Sequence, residues 1–293
     1  SKKYISKSKF PVVIKADGLA AGKGVTIAHS AEEAHKALDD AMQKKIFGSA
    51  GTKVVIEDFL QGEEASFIVL CDGKKTIPFA SSQDHKARDN NDLGPNTGGM
   101  GAYSPAPIVT EEIHKQVMEK IIKPTIDGLK SEGITYKGFL YAGLMIKNSE
   151  ISVLEFNCRF GDPETQPILM RMESDLAEIC LLAAQGNLNE REISWTKDSA
   201  LGVVIASKGY PFEYEKNKEI NNLENENPRQ KVFHAGTKTQ EGKVLSNGGR
   251  VLCVTALGST LLDSKNLAYQ KVKNIDWKDG FYRDDIGDKA IKS

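Results

Sequence analysis

The stretch VLEFNCRFGDPET, residues 153–165, sets an acid, an amide and a base two residues apart. Side chains on a strand alternate between faces, so Glu155, Asn157 and Arg159 project together, and Leu154, Phe156 and Cys158 are expected to fill the core behind them. A carboxylate beside an amide oxygen makes half of a hard-cation site. An arginine next in line can neutralise charge on a transferring phosphoryl group. The plainer alternative is a polar outer face on an edge strand. The acid–amide–base order running straight into GDPET favours chemistry.

Phosphate needs cations and backbone freedom, and KADGLAAGKGV (15–25) offers both, with Lys15 and Lys23 around the glycines. It is not a P-loop. Gly18 and Gly22 are one residue too close, and Lys23 is followed by Gly24 where a magnesium-holding hydroxyl is required. FPVVIKA (10–16) before it and VTIA (25–28) after it both read as strands, so the glycine loop belongs to a hairpin. A lone lysine there would be surface solvation. Two suit a flap over phosphates, each charge-assisted bond contributing about 1.5–3 kcal/mol. In VVIEDFLQGEEASF (54–67) the break at Gln61-Gly62 exposes backbone groups at Asp58, Phe59 and Leu60 that can pair with an adenine edge. Glu64 can then take two ribose hydroxyls, although an acidic hairpin is a common feature. SSQDHKARDNNDLGPNTGGMGAYSP (81–105) is long, polar and glycine-rich between apolar flanks, which reads as a functional loop.

Positioning these groups requires a mixed architecture. Further strands are expected at 52–60, 64–73, 76–82, 138–147 and 151–159, the last two joined by the short turn NSE. Ser30 with Glu33 forms a capping box for a helix. Thr110, followed by two glutamates, caps a long helix that Pro124 should kink or interrupt. SDLAEICLLAAQG (174–186) is a capped helix ending at Gly186, and the polar stretch after it reads as a linker. Strands near 201–207, 231–236 and 249–256 and a helix near 261–274 read as a small separate α+β domain. The Asn- and Glu-rich segment 216–228 reads as a solvated loop.

The chain has 293 residues, enough for two or three compact units, and 40% hydrophobic residues, enough for a core. Its 39 basic and 40 acidic residues nearly cancel, leaving no polybasic footprint for nucleic acid or an anionic membrane. No apolar run approaches a membrane span and no signal peptide is visible. Cys71, Cys158, Cys180 and Cys253 are scattered, which reads as free thiols of a cytoplasmic protein. The chain opens on Ser1 and a basic stretch that runs straight into a strand, as a trimmed N-terminus would.

Together KADGLAAGKGV, SSQDHK, GPNTGGMGAYSP, GFLYAGLMI, EFNCRFGDPETQ and FHAGT…NGGRVLCVTALG resemble the glycinamide ribonucleotide synthetase family of ATP-grasp ligases almost residue for residue, across nearly the whole chain. The resemblance implies an α+β ATP-grasp fold, with ATP between two subdomains under a mobile glycine lid, followed by a small C-terminal α+β domain. The corresponding spans are 1–65 (lid subdomain, partial), 66–190 (core subdomain) and 191–293. It implies ATP with Mg2+ or Mn2+ held by Glu155 and Asn157. Lys15, Gly18, Gly22, Lys23, Gly24, Glu57, Phe59, Leu60 and Glu64 are the nucleotide-side candidates. Glycine and 5-phosphoribosylamine are the substrates, with Asp84, Asn96, Thr97, Gly98, Asp162 and Glu164 the substrate-side candidates. Arg159, Lys15 and Lys23 are the catalytic cations. Asp162 or Glu164 can hold glycine's ammonium, and the competing role for Asp162 is an N-cap of the helix after Pro163.

Gly143 stands where many ATP-grasp enzymes carry a second acidic metal ligand. The family's N-terminal domain with its GNGGREHA-type loop is missing, as is the first lid strand, so the chain by itself is expected to fold, as a monomer, without making product. In KEINNLEN relatives favour glycine in the turn, and Asn tolerates the left-handed conformation. Two rival readings are another ATP-grasp carboxylate–amine ligase and a truncated ATP-binding module without catalysis.

Overall fold

The computed structural model describes residues 2–18, 24–189, 191–224 and 227–292. By internal contact the chain divides into two units, 1–61 with 96–98, and 62–95 with 99–293.

In the first unit a short helix α1 (Lys2–Ile5) precedes strands β1 (Val12–Ala16), β2 (Val25–Ala28) and β3 (Val54–Asp58), with helix α2 (Ala31–Leu38) between the last two. The strands form an antiparallel sheet in the order β2-β1-β3. Val12, Ile14 and Ala28 turn inward onto Ile5, Ala34 and Leu38. Alternation leaves Val13 and Lys15 on the other face. Ser30 caps α2 by accepting from the Glu33 amide at 3.2 Å, while the Glu33 carboxylate takes the His29 amide.

The second unit opens with β4 (Glu63–Asp72) and β5 (Thr76–Pro78) and continues through the glycine-rich stretch as β6 (Gln83–Asp84), β7 (Ala87–Asp89), β8 (Leu93–Asn96) and β9 (Gly101–Ser104). Then come α3 (Glu111–Val117), α4 (Lys123–Ser131), β10 (Lys137–Lys147), β11 (Glu150–Asn157), α5 (Thr165–Arg171) and α6 (Leu176–Gln185). The C-terminal part contributes β12 (Ser199–Ser207), β13 (Gln230–His234), the hairpin β14 (Thr237–Gln240) and β15 (Lys243–Ser246), β16 (Arg250–Gly258), α7 (Leu261–Asn274), β17 (Gly280–Phe281) and α8 (Asp288–Lys292). Thr110 caps α3, as its spacing predicts. Pro124 falls in the first turn of α4, directly after a π turn over Met118–Ile122, so the helix changes register at the proline rather than ending there. Asp175 and left-handed Gly186 close α6 at its two ends.

One sheet runs β11-β10-β4-β5, all antiparallel. Its back face, with Ala65, Phe67, Val69, Leu140, Ala142 and Leu144, packs on Ile113, Val117 and Ile122. The larger sheet runs β13-β16-β12-β9-β6, with β17 on β12. Strands β9 and β6 come from the glycine-rich stretch, so the C-terminal strands do not form a sheet of their own. The reason is a non-local pairing, Gly101–Ser104 against Ala200–Val203. The two sheets are stitched where Ser66 and Ser82 exchange backbone bonds of 2.8 and 3.2 Å. Segment 216–228 is tied down in part, because Ile220 is buried and Asn221 bridges Asp276. Asn222 adopts φ +60, the left-handed turn expected of it.

The expected core role of Phe156 and Cys158 is corrected. Phe156 is 43% exposed and Cys158 is exposed. Gly143 pairs Glu155 while Leu144 pairs Val153, so Leu154 is a bulge on an edge strand, and the alternation shifts there.

Candidate active site

Alternation on β4, β10 and β11 lines one sheet face with Glu64, Ser66, Tyr141, Gly143, Glu155 and Asn157. Gly143 stands directly between Ser66 and Glu155, and Tyr141 is opposite Asn157. A side chain at Gly143 would crowd Glu155, because a Cβ there would lie 3.2 Å from Glu155 Cγ. The absence of a second acid at this place leaves room for the first. The Asn157 amide donates to Glu155 Oε1 at 3.4 Å, so the expected pair does share one face. Two adjacent oxygen donors on an open edge strand fit a hard cation. Among the described residues no group of three or more His, Cys, Asp or Glu forms a metal cage. Magnesium, which keeps waters and phosphates as ligands, suits a site of this size.

The segment after β5 supplies the opposite wall. Asp84 and Lys86, two apart, turn the same way. The Lys86 ammonium meets Glu64 at 2.9 Å and keeps 31% of its side chain exposed. Burial works against that ammonium, but Glu64, then Asp84 and Glu155, outweigh it and raise its pKa. Burial first, and the Glu164 charge second, hold the Asp84 carboxyl well above the usual carboxylate range. Asp84 Oδ1 is buried without a hydrogen-bond partner among the described residues. Leaving a buried acceptor unmade costs about 1–3 kcal/mol, so this oxygen is suited to a donor from a ligand. Gly99, at φ +111, passes against it, and a Cβ there would come within 2.5 Å of Asp84 Oδ1 and 2.3 Å of Pro163 Cδ.

Glu164, 3% exposed, accepts from Ser66 Oγ at 2.7 Å, and Ser66 Oγ lies 2.9 Å from the Tyr141 hydroxyl. The capping role for Asp162 is corrected. Helix α5 starts at Thr165 with Glu164 at its cap position. The Asp162 carboxylate instead takes Arg250 at 2.7 Å, and Arg250 also donates to the carbonyls of Asp162 and Gly99. Strand β11 ends at Asn157, short of the expected 159, and Arg159, exposed two residues past it, donates to the neighbouring Phe160 carbonyl at 2.8 Å.

In the first unit Lys15 pairs with Glu57 at 2.6 Å on the outward sheet face, beside exposed Ile27 and Val55. Gly18 donates to the Ala50 carbonyl at 3.0 Å, and the Gly24 carbonyl takes the Ala16 amide at 2.8 Å. Phe59 and Leu60 follow β3, half-buried. Asn96, Thr97 and Gly98 belong to this unit by contact, Thr97 being buried. Gly22 and Lys23 lie outside the described residues.

Of the expected residues, Glu64, Asp84, Glu155, Asn157 and Glu164 gather around one patch of the second unit. Sequence reasoning missed Lys86, Arg250, Ser66 and Tyr141. Lys86 carried a usable signal, since it stands two residues beyond Asp84 in an extended stretch.

Residues 1–165 match the phosphoribosylglycinamide synthetase ATP-grasp (A) domain, and residues 200–289 match the C domain of the same synthetase. The phosphoribosylamine–glycine ligase of Pasteurella multocida is 53% identical over 289 residues, spanning 98% of this chain and 67% of its own length. The crystal structure of the Thermotoga maritima phosphoribosylamine–glycine ligase superposes with a TM-score of 0.85 at 35% identity, covering 97% of this chain and 71% of that one. At the level of fold alone, the biotin carboxylase domain of Hydrogenobacter thermophilus 2-oxoglutarate carboxylase, solved with MgADP and bicarbonate, superposes with a TM-score of 0.70 at 15% identity, over 96% of this chain and 60% of that one. With both family domains matched in order over an α+β ATP-grasp framework, the chain belongs to the phosphoribosylglycinamide synthetase family.

Proposed function

We infer that the chain is an ATP-dependent carboxylate–amine ligase that joins glycine to 5-phosphoribosylamine, giving glycinamide ribonucleotide, ADP and phosphate, a step of purine synthesis. The observation that carries the substrate side is the buried Asp84 oxygen, without a partner among the described residues, beside the Lys86 ammonium, in a chain 53% identical to a phosphoribosylamine–glycine ligase. Glycine has both charges this pair can receive. Its ammonium, a positive charge that would favour the ionised Asp84 carboxylate over the neutral form burial prefers, suits Asp84 or Glu164, and its carboxylate suits Lys86.

The carboxylate attacks the γ-phosphorus and ADP leaves. The resulting glycyl phosphate is opened by the sugar amine, which loses a proton as phosphate departs. No covalent enzyme intermediate is required. The protein's share is orientation and charge neutralisation. Glu155 and Asn157 would hold magnesium, which when bound neutralises phosphate charge. Lys15, Gly18, Gly22, Lys23, Gly24, Glu57, Phe59, Leu60 and Glu64 serve the nucleotide. Asn96, Thr97, Gly98 and Asp162 serve the substrates, and Arg159 serves the transferring phosphoryl group. No helix of the described residues is long and apolar enough to cross a membrane. We place the protein in the cytoplasm, as a monomer acting on small molecules.

The test is a coupled ADP-release assay on the complete enzyme with freshly made phosphoribosylamine, offering glycine against a panel of other amino and carboxylic acids, with the Pasteurella multocida relative run alongside. Release with glycine and with no other acid is expected. A preference for another acid would assign the chain to a different ligation.

A further inference from the structure

The extended stretch that carries Asp84 and Lys86 has little sheet of its own. Strand β6 is two residues long at the end of its sheet, pairing Gln83–Tyr103 and Asp84–Ala102, and past it the ladder adds only the two backbone bonds of His85, to the Gly101 carbonyl at 3.0 Å and from the Met100 amide at 2.8 Å. Asp84 within it and Lys86 beyond it face a patch crowded with Glu64, Glu155 and Glu164, and a slip of one residue would turn both away from it.

The opposite side of the same stretch is held by the C-terminal segment. The His85 ring, alternate to Asp84 and Lys86, donates from Nδ1 to the Gly101 carbonyl at 3.2 Å and accepts the Gly287 amide at Nε2, 3.4 Å away. Arg283, 2% exposed, grips Asp285 through Nε and Nη2 at 2.8 Å each. Its Nη1 donates to the Ala87 carbonyl and to Asp92, both at 3.0 Å. The Asn91 amide returns to Asp285 at 2.7 Å, and the Asp284 amide to Asn90 at 3.0 Å. A forked guanidinium fixed by one carboxylate is pre-organised, so its remaining donors set the height and direction of the Ala87 carbonyl. Among the described residues none of these bonds is made to Glu64, Asp84, Lys86, Glu155 or Glu164.

We propose that the C-terminal segment 283–287 is the positioning element of the ligation site, with Arg283 as its positioning residue, holding Ala87 and His85 from behind so that Asp84 and Lys86 are presented to glycine. This rests on the assignment of Asp84 and Lys86 to glycine. It gives the far end of the chain a role in substrate affinity that its distance in sequence conceals.

The full chain is compared with Arg283→Lys, which keeps the charge and loses the fork, and with Asp285→Asn, which weakens the fork from its other side. Three quantities are read. They are the affinity for glycine in the presence of magnesium and a non-hydrolysable ATP analogue, the affinity for that nucleotide alone, and amide exchange at His85–Ala87. Glycine affinity should fall by about tenfold or more, exchange at 85–87 should rise, and nucleotide affinity should stay within about twofold. Unchanged glycine affinity in both variants overturns the proposal. So does a parallel fall of glycine affinity, nucleotide affinity and melting temperature, which marks general loosening. Lys86→Met separates the two layers of the argument. If it weakens glycine binding while the clamp variants do not, only the positioning role fails; if it too leaves glycine binding intact, the site assignment fails.

Discussion

The two faces of the β11-β10-β4-β5 sheet are made by the same strands and the same backbone ladder, yet they do opposite work. On the back face Ala65, Phe67, Val69, Leu140, Ala142 and Leu144 are all nearly sealed. The front face changes character along its length. At one end Ile68, Leu70 and Tyr141 disappear under Ile168, Ile179 and Ala183 of α5 and α6. Toward the other, Glu155 is exposed, Glu64 is half-buried and Ser66 hydrogen-bonds Glu164, with half-buried Asn157 on the edge strand opposite Tyr141. Period-two alternation therefore lets one strand pair carry a core and a site without compromise between them. Substitutions behind the sheet should act on stability, and those at the polar end in front should act on ligands.

The largest effect expected is on the back face. Phe67→Ala, at a fully buried position, should destabilise the fold by about 3–5 kcal/mol, read by urea denaturation. A loss well below that range would mean the back face is looser than its burial implies.

His85 extends the contrast to the strand behind Asp84. Burial first, then the charge of Arg283, hold its ring down to about 4. The unfolded chain, with a pKa of about 6.5, takes the proton first. The stability His85 contributes is thus complete above about pH 6.5 and drains away as pH falls toward 4, at most about 3 kcal/mol in all. Denaturation at pH 7 and at pH 4.5 should show the parent losing more stability than His85→Gln. Equal losses would remove His85 from the account of acid sensitivity.

On the front face, Glu155→Ala and Asn157→Ala should each weaken magnesium–nucleotide binding about tenfold or more in calorimetry, with the melting temperature nearly unchanged. Binding like the parent's would refute the metal assignment. The smallest effect is expected at Arg159→Lys, which keeps the charge and loses the fork. Turnover of the complete enzyme should fall a few-fold with nucleotide affinity intact, and unchanged turnover would leave Arg159 a structural residue past the strand end.

Much of this division is legible in the residues alone. Glu155 and Asn157 share a face because alternation is local, and the caps at Thr110, Asp175 and Gly186 are local too. Helix α7 occupies Leu261–Asn274, the span its spacing predicts. What escapes is non-local. The bulge at Leu154 that exposes Phe156 depends on pairing with Gly143 and Leu144. The entry of β9 into the C-terminal sheet depends on residues nearly a hundred positions on. Lys86 could be read from its place two residues beyond Asp84, but the bonds that hold its stretch extended, to Gly101 and from the Arg283 clamp, leave no trace in the local pattern.

The central claim is that the polar end of the front face receives glycine through Asp84 and its neighbours. Glycine titrated into the protein with magnesium and a non-hydrolysable ATP analogue, parent against Asp84→Asn, tests it most directly. The account predicts that the amide, which cannot offer the same acceptor to an ammonium, weakens glycine about tenfold or more and leaves the nucleotide unaffected. Glycine bound by Asp84→Asn as tightly as by the parent would contradict it.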